Sequence, residues 1–260
     1  MKSHVLLLIN LSAMIFISEH ALADSRASVS IGYEQTSGNY GLTNETNSTT
    51  VQLSMKYMSD AWSYKLSAPL ISVTGDGSVI PSGGGGGMGG FGGTTGSAIT
   101  TETGLGDVSA GIAYSILPEN SFMYYELSAG VKLGAASVEN NLGTGENDYS
   151  MSLYSSYEKN PVKPFLSIGY TLVGDTDTIN FNDVFFATAG FNYQVNAKTS
   201  VSLSYDYTQA TIDGDDDAQI LGLGIGRVFN DNWFSNIYLL NGLSDSVADS
   251  GIGFSLTNSF

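Results

Sequence analysis

Apolar and polar residues alternate one by one along most of this chain after residue 23, and a period of two predicts β-strands. Val108, Ala110, Ile112, Tyr114 and Ile116 alternate with Asp107, Ser109, Gly111, Ala113 and Ser115. One face of that segment is apolar, and the other is small or polar. Val201, Leu203, Tyr205 and Tyr207 repeat the pattern against Ser200, Ser202, Ser204 and Asp206, and Leu166, Ile168, Tyr170 and Leu172 repeat it against Ser167, Gly169 and Thr171. Roughly a dozen such segments of about ten residues each follow one another, the length a tilted strand needs to cross a bilayer.

Alternation by itself fits a water-soluble β-sandwich as well as a membrane barrel. The connections discriminate. Short turns are expected at Ser59-Asp60, Pro118-Glu119-Asn120, Lys159-Asn160-Pro161, Asn196-Ala197-Lys198 and Asn230-Asp231-Asn232. Between them lie longer connections, from Ser37 to Thr46, Gly75 to Gly104, Gly134 to Asn147, Gly174 to Asn182 and Gln209 to Asp217. Such alternation separates the periplasmic turns of an outer-membrane barrel from its extracellular loops. Trp62, Tyr64, Tyr114, Tyr157, Tyr193, Phe229 and Trp233 all fall beside the short turns, as a girdle at one membrane interface would. The predicted fold class is all-β: a closed antiparallel transmembrane β-barrel of about 12 strands, with short periplasmic turns, longer extracellular loops and both termini in the periplasm.

Composition sharpens this picture. The chain is 42% hydrophobic with 13% charged residues, whereas about a quarter of a soluble domain is charged, so part of the surface faces something other than water. The 32 glycines, 15 tyrosines and 12 phenylalanines favour strands and turns over helices. An apolar run from Val5 to Ile17 follows Lys2 and leads to Ala21-Leu22-Ala23, which reads as a secretory signal peptide over residues 1–23, with the barrel over 24–260. There is no cysteine, so no disulfide supports the exported chain. A net charge of −16 makes nucleic acid a poor partner.

Candidate chemistry is sparse. The two histidines, His4 and His20, lie in the signal peptide, so beyond it there is neither a Ser-His nor a Cys-His nucleophilic site nor an imidazole or thiolate zinc site. The chain is therefore not expected to be an enzyme, and no cofactor is implied. Parity places Glu34, Lys56, Lys65, Asp107, Glu126, Lys132 and Asp206 on the inner face, as candidates for lining the lumen and tuning what passes. Asp213, Asp215, Asp216 and Asp217 form an acidic extracellular loop. Oxygen-rich clusters suit calcium, but this one lacks the spacing and terminal Glu of a helix-loop-helix site, and a solvated acidic loop is the simpler reading. Gly222-Leu223-Gly224-Ile225-Gly226 sits inside a strand pattern with its glycines on one face and reads as lumen lining rather than a dinucleotide loop. The stretch 76–103 is a long Gly-rich extracellular loop, either a flexible tip or a lid folded into the mouth. Ile252, Phe254, Leu256 and Phe260 point outward in the last strand, and a terminal aromatic fits delivery to the barrel-assembly machinery; Asn258 stands where an apolar residue is usual.

Two segments carry a family resemblance: Leu66-Ser67-Ala68-Pro69-Leu70-Ile71-Ser72-Val73-Thr74-Gly75, and Thr103-Gly104-Leu105-Gly106-Asp107-Val108 opening the next strand. They resemble the outer-membrane proteins named for the meta-pathway of phenol degradation, many of which are described as transporters. The resemblance implies a barrel and uptake of small, aromatic or apolar compounds, and it supplies no catalytic residue. From the residues themselves, Pro69 should mark a bulge or a strand exit, because it cannot donate a ladder hydrogen bond, and Gly104 and Gly106 should release the long loop by taking positive φ.

The expected function is a pore or passive uptake channel in the bacterial outer membrane, in contact with lipid and lipopolysaccharide, for a small-molecule solute. The alternative is a structural or adhesive surface barrel with a closed lumen and partner-binding loops. The external carboxylates, among them Asp148, Asp183 and Asp249, are expected to lie at the mouth without an accompanying lysine or arginine. If the orientation is right, a tag inserted near Gly87 or Asp216 is accessible on intact cells and one near Asn120 or Asn196 is not. The reverse labelling pattern would turn the barrel upside down.

Overall fold

The computed structural model describes residues 27–77, 79–81, 88–90 and 98–260, so the expected signal peptide and most of the Gly-rich segment lie outside the described residues. The described strands are β1 (Ala27–Gly38), β2 (Thr46–Ser59), β3 (Trp62–Gly75), β4 (Val79–Pro81), β5 (Met88–Gly90), β6 (Thr100–Leu105), β7 (Val108–Ile116), β8 (Met123–Leu133), β9 (Asp148–Tyr157), β10 (Val162–Leu172), β11 (Val184–Asn196), β12 (Thr199–Thr208), β13 (Ala218–Val228), β14 (Trp233–Gly242) and β15 (Ser250–Ser259). Apart from the separate hairpin of β4 and β5, all belong to one antiparallel sheet in which β2 pairs with β3 and β1 pairs with β15. The sheet is therefore closed. Because β6 and β7 both pair with β3 and act as one interrupted strand, the described barrel has the twelve strands expected.

Closure follows from the outward face. Ile31 and Tyr33, Val51, Leu53, Met55 and Tyr57, and Leu221, Leu223 and Ile225 are all exposed, and a surface this apolar is stable only in lipid. In lipid no backbone N–H or C=O can be left unpaired, which an open sheet edge would do. The seven girdle aromatics are exposed beside the short turns, with Trp62 and Tyr114 in ring contact at 4.8 Å. Two of those turns place small polar residues at positive φ, Asp60 at 52° and Asn120 at 56°, where their short side chains are tolerated. The C-terminal Phe260 is exposed, and its N–H donates to the carbonyl of Ala27 at 2.9 Å, so the two ends of the described chain are paired.

Two local expectations need correction. The long connection does not reach residue 103: strand pairing resumes at Thr100, where cross-strand bonds between Ser72 and Thr103 (2.9 Å) and between Thr74 and Thr101 (2.8 Å) extend the ladder. Alternating Thr101 and Thr103 suits a strand, but the neighbouring low-complexity glycines concealed it. Gly104 and Gly106 also do not take positive φ, which among the described glycines occurs at Gly41, Gly77, Gly145 and Gly214. Their reason is space. A methyl at Gly104 would lie 2.7 Å from Leu142 Cδ1, and one at Gly106 would overlap the side chains of Ile71 and Pro69.

The bulge expected at Pro69 is present, on its partner. Between the pairs Ser67↔Ser109 and Leu70↔Leu105, β3 contributes Ala68 and Pro69, while the facing strand contributes Gly106, Asp107 and Val108. The extra residue sits opposite the proline. Pro69 accepts a 2.8 Å bond from the Gly106 N–H and has no N–H to return, so the ladder is broken where it had no donor.

Replacing Gly106 with Val should destabilise the folded barrel by about 1–3 kcal/mol through overpacking against Ile71 and Pro69. Gly32→Ala should change little, because a methyl there meets its nearest atom at 3.8 Å. Urea midpoints of the unboiled, heat-modifiable gel band check both, and equal midpoints for the two variants would refute the packing account.

Candidate functional site in the barrel lumen

Strand periodicity places Glu34, Lys56, Lys65, Glu126, Lys132 and Asp206 on the inner face, opposite the exposed apolar positions of the same strands, and Asp107 lies buried in the bulge before β7. They do not form one constellation. Lys56 and Lys65 are cross-strand partners on β2 and β3, two like charges side by side. Glu126 accepts a 2.8 Å bond from the Tyr124 hydroxyl, which also meets Ser115 Oγ at 2.9 Å. Asp206 accepts from Thr188 at 2.7 Å and from Ser204 at 3.1 Å. Glu34 accepts a 2.7 Å bond from Tyr238, whose ring reaches it by lying across Gly253 on the strand between them.

The strongest set is an ion triad. Lys132 Nζ lies 3.2 Å from Asp107 Oδ2 and 3.0 Å from Asp148 Oδ2, and all three side chains are at most 10% exposed. Each carboxylate turns its other oxygen to a loop: Asp107 accepts from the Ala136 N–H and Asp148 from the Gly174 N–H, both at 3.0 Å. Buried charges persist only when paired and hydrogen-bonded. Lys132 thus ties the wall to the β8–β9 and β10–β11 connections. This corrects the expectation that Asp148 is a mouth carboxylate with no lysine nearby. The sequence could not show it, because the partners are brought together by register across three strands.

Aromatic rings on the inner face hug the wall. Phe165 on β10 faces Gly190 on β11, and Phe186 on β11 faces Gly169 on β10, a reciprocal exchange. A methyl at Gly190 would lie 2.7 Å from Phe165 Cζ, and one at Gly169 would lie 2.7 Å from Phe186 Cε1, so each ring occupies the volume its glycine leaves. Tyr124, Tyr154 and Phe165 continue in a row with ring centroids 6.0 Å apart. On β13, Gly222, Gly224 and Gly226 lie on the inner face as expected.

At the loop end small apolar clusters take over. Ile71 and Val73 pack with Ala136 and Leu142, Val173 and Val184 with Phe181, and Tyr40 with Val79 from the β4–β5 hairpin. Burial pushes the Tyr40 phenol far above its ordinary value, so it stays neutral. Carboxylates hold these loops through backbone donors: Asp175 accepts from Phe181 N–H (2.7 Å), Asp183 from Val173 (3.0 Å), Asp217 from Ala210 (2.9 Å) and Asp249 from Asn39 (3.3 Å). Asp217 also accepts from the Tyr207 hydroxyl at 2.7 Å. Of the predicted acidic loop, Asp213 and Asp216 are exposed while Asp215 and Asp217 are half-buried. Among the described residues no group of carboxylates is gathered closely enough to hold a metal ion, so the calcium candidate at Asp213, Asp215, Asp216 and Asp217 fails: its members turn to different partners. Glu45 is fully exposed, and hydrogen bonds from Asn47 and Ser37 hold its carboxyl below the ordinary range.

The sequence matches the model of the family described as MetA-pathway of phenol degradation over residues 35–258. No curated protein matches it. In fold the chain is similar to an outer membrane channel from Pseudomonas putida F1, with a TM-score of 0.68 at 12% identity over 91% of this chain and 96% of that one. It is also similar to the translocator domain of the autotransporter NalP from Neisseria meningitidis (TM-score 0.59, 11% identity, 96% and 93% covered) and to a KdgM porin (TM-score 0.55, 10% identity, 90% and 99% covered). At these identities the likeness is one of fold.

Lys132→Met should leave two buried carboxylates facing each other and cost about 3–5 kcal/mol of stability. Local exchange is the sharper test: the Ala136 and Gly174 N–H groups should lose hydrogen-exchange protection before the barrel strands do. Retained protection at both positions would show that the triad does not hold the loops.

Proposed function

The chain belongs to the MetA-pathway of phenol degradation family, and on that premise we propose that it is a passive outer-membrane channel for small solutes, aromatic or apolar ones among them, with an acidic extracellular mouth. The observation that carries this reading is the inner wall. Eight strands leave an interior that side chains fill, whereas sixteen to eighteen leave an aqueous channel, so in a barrel of intermediate size the side chains decide. Here the inner positions are largely Gly, Ser and Thr, and the large rings of Phe165, Phe186 and Tyr238 lie over glycines instead of crossing the bore. The outward aromatic at Phe260 supports handling by the barrel-assembly machinery, with the short turns in the periplasm.

The acidic mouth rests on the loop carboxylates that remain exposed, Glu45, Glu139, Asp213 and Asp216 among them. A mouth of one sign attracts counter-ions and repels like charges, an effect that salt screens over about 10 Å at 0.1 M. Asp217 is held by Tyr207 and Ala210, so a clean test leaves it in place.

Single-channel recording in planar bilayers tests both parts. The wild type should conduct, prefer cations to anions in reversal potentials at low ionic strength, and be partly blocked by aromatic solutes. Asp213→Asn with Asp216→Asn should weaken the cation preference without moving the urea midpoint, because exposed loop charges contribute little to stability. A closed barrel would favour the structural or adhesive alternative, and an anion-selective pore would remove the acidic mouth.

A further inference from the structure

Two amides on the inner wall lack the hydrogen bonds that burial calls for. Asn236 on β14 is 3% exposed, and its Oδ1 is closed to solvent with no hydrogen-bond partner among the described residues. The Oδ1 of Asn192 on β11, a half-buried residue, is likewise closed off and unpaired. Both side chains point inward, because they alternate with the exposed Ile237 and Leu239 on one strand and with the exposed Phe191 and Tyr193 on the other. Elsewhere the wall satisfies its own polar groups: Tyr238 reaches Glu34, Thr188 and Ser204 reach Asp206, and Ser128 meets Ser152. An amide oxygen kept from water without a donor costs free energy, so a wall that keeps two calls for a specific reason. The ground between them is bare. Asn236 faces Gly226 on β13, which faces Ser200 on β12; one row nearer the loops, Asn192 faces Ser202, which faces Gly224. On β12 and β13 these two inner rows therefore carry nothing larger than serine. On the other side of Asn236 come Ser255 and then Gly32, where an added methyl would meet no atom nearer than 3.8 Å. Along β14 the same-face neighbours are Phe234 and Tyr238, and Tyr238 extends away from β13, over Gly253 to Glu34.

We propose that this stretch of wall is a solute subsite in which Asn236 Oδ1 accepts a hydrogen bond from the hydroxyl of a small neutral alcohol with a largely apolar body, with Asn192 as a second acceptor across the floor. An amide oxygen takes an O–H or N–H donor and offers nothing to an ether or a hydrocarbon. The glycines leave room for a body beside the acceptor, and their Cα surface together with the rings of Phe234 and Tyr238 gives that body an apolar setting. Anions fit poorly. The unpaired atoms are acceptors, the Glu34 carboxylate stands in the row above Asn236, and Lys163, the cross-strand neighbour of Asn192, is held by Glu158 at 2.8 Å. The subsite therefore distinguishes solutes by whether they donate.

This inference rests on the reading of the lumen as a solute path, and its test reads the site without needing current. The folded, nitrogen-15-labelled barrel in detergent micelles is titrated with cyclohexanol and, separately, with its methyl ether, which keeps the ring and the oxygen and lacks only the donor. Cyclohexanol should shift the Asn236 side-chain amide resonance saturably, and the ether should need about fivefold more, the factor that one neutral hydrogen bond supplies. The resonance is identified by its loss in the near-isosteric variant Asn236→Leu, and the exposed Asn241 amide should respond alike to both probes. Phenol and its methyl ether should give the same ratio. Equal responses of Asn236 to alcohol and ether in the wild type, a comparison that needs no variant, would overturn the proposal. A ratio confined to the phenol pair would overturn it as stated, since a ring and not a donor would then be read. A shift produced by potassium chloride alone, which cyclohexanol does not displace, would make the amide a cation ligand and overturn it too. In planar bilayers cyclohexanol should reduce the current, with a half-blocking concentration about fivefold higher for a heat-modifiable Asn236→Leu barrel; an unchanged concentration would count against the subsite. A barrel that conducts without any preference for the alcohol loses this inference alone, whereas one that shows the amide preference but passes no current loses the channel reading.

Discussion

The constraint on which everything else depends is that a sheet in hydrocarbon must pair every backbone N–H and C=O within itself. Water is absent there, and each unpaired group costs several kcal/mol, so the sheet closes through β1 and β15. Closure fixes the parity of each strand. Parity then divides the chain into an apolar outer surface and an inner surface on which polar groups accumulate, including groups as far apart in sequence as Glu34 and Tyr238. The bulge opposite Pro69 is the same rule in reverse: where a donor is missing, the partner strand inserts a residue instead of leaving the gap in lipid.

The inner surface holds its large side chains close to the wall. Packing rings against glycines keeps volume near the wall, and hydrogen bonds across and along the strands hold carboxylates and hydroxyls close to it. Glu34 with Tyr238 and Asp206 with Thr188 bond across strands, and Glu126 with Tyr124 along β8. A buried carboxylate bonded along the wall is held in one orientation.

Most of the fold was legible because it is written in local periodicity: the twelve strands, the five short turns and the aromatic girdle all follow from a period of two and from turn residues. What stayed hidden depends on register and space. Residues 100–103 read as loop because glycines surround them, although the alternating threonines extend the β3 ladder. The positive φ expected at Gly104 and Gly106 was wrong, since crowding by Leu142 and Ile71 is invisible in one sequence. Asp148 read as a mouth residue because nothing local connects it with Lys132 and Asp107. The three apolar loop clusters were missed for the same reason.

The loop carboxylates fall into two groups with different fates under mutation. Asp175, Asp183, Asp217 and Asp249 each accept a backbone N–H, a role in which Asn is the nearest substitute and Lys is none. Glu139 and Asp216 are exposed side chains in the same loops. The loop surface is therefore part scaffold and part exposed side chains without such a role. Substitution can rewrite the second portion at little structural cost, while the first holds the loops in one conformation, so a barrel of this kind can change the charge its loops display and keep their shape.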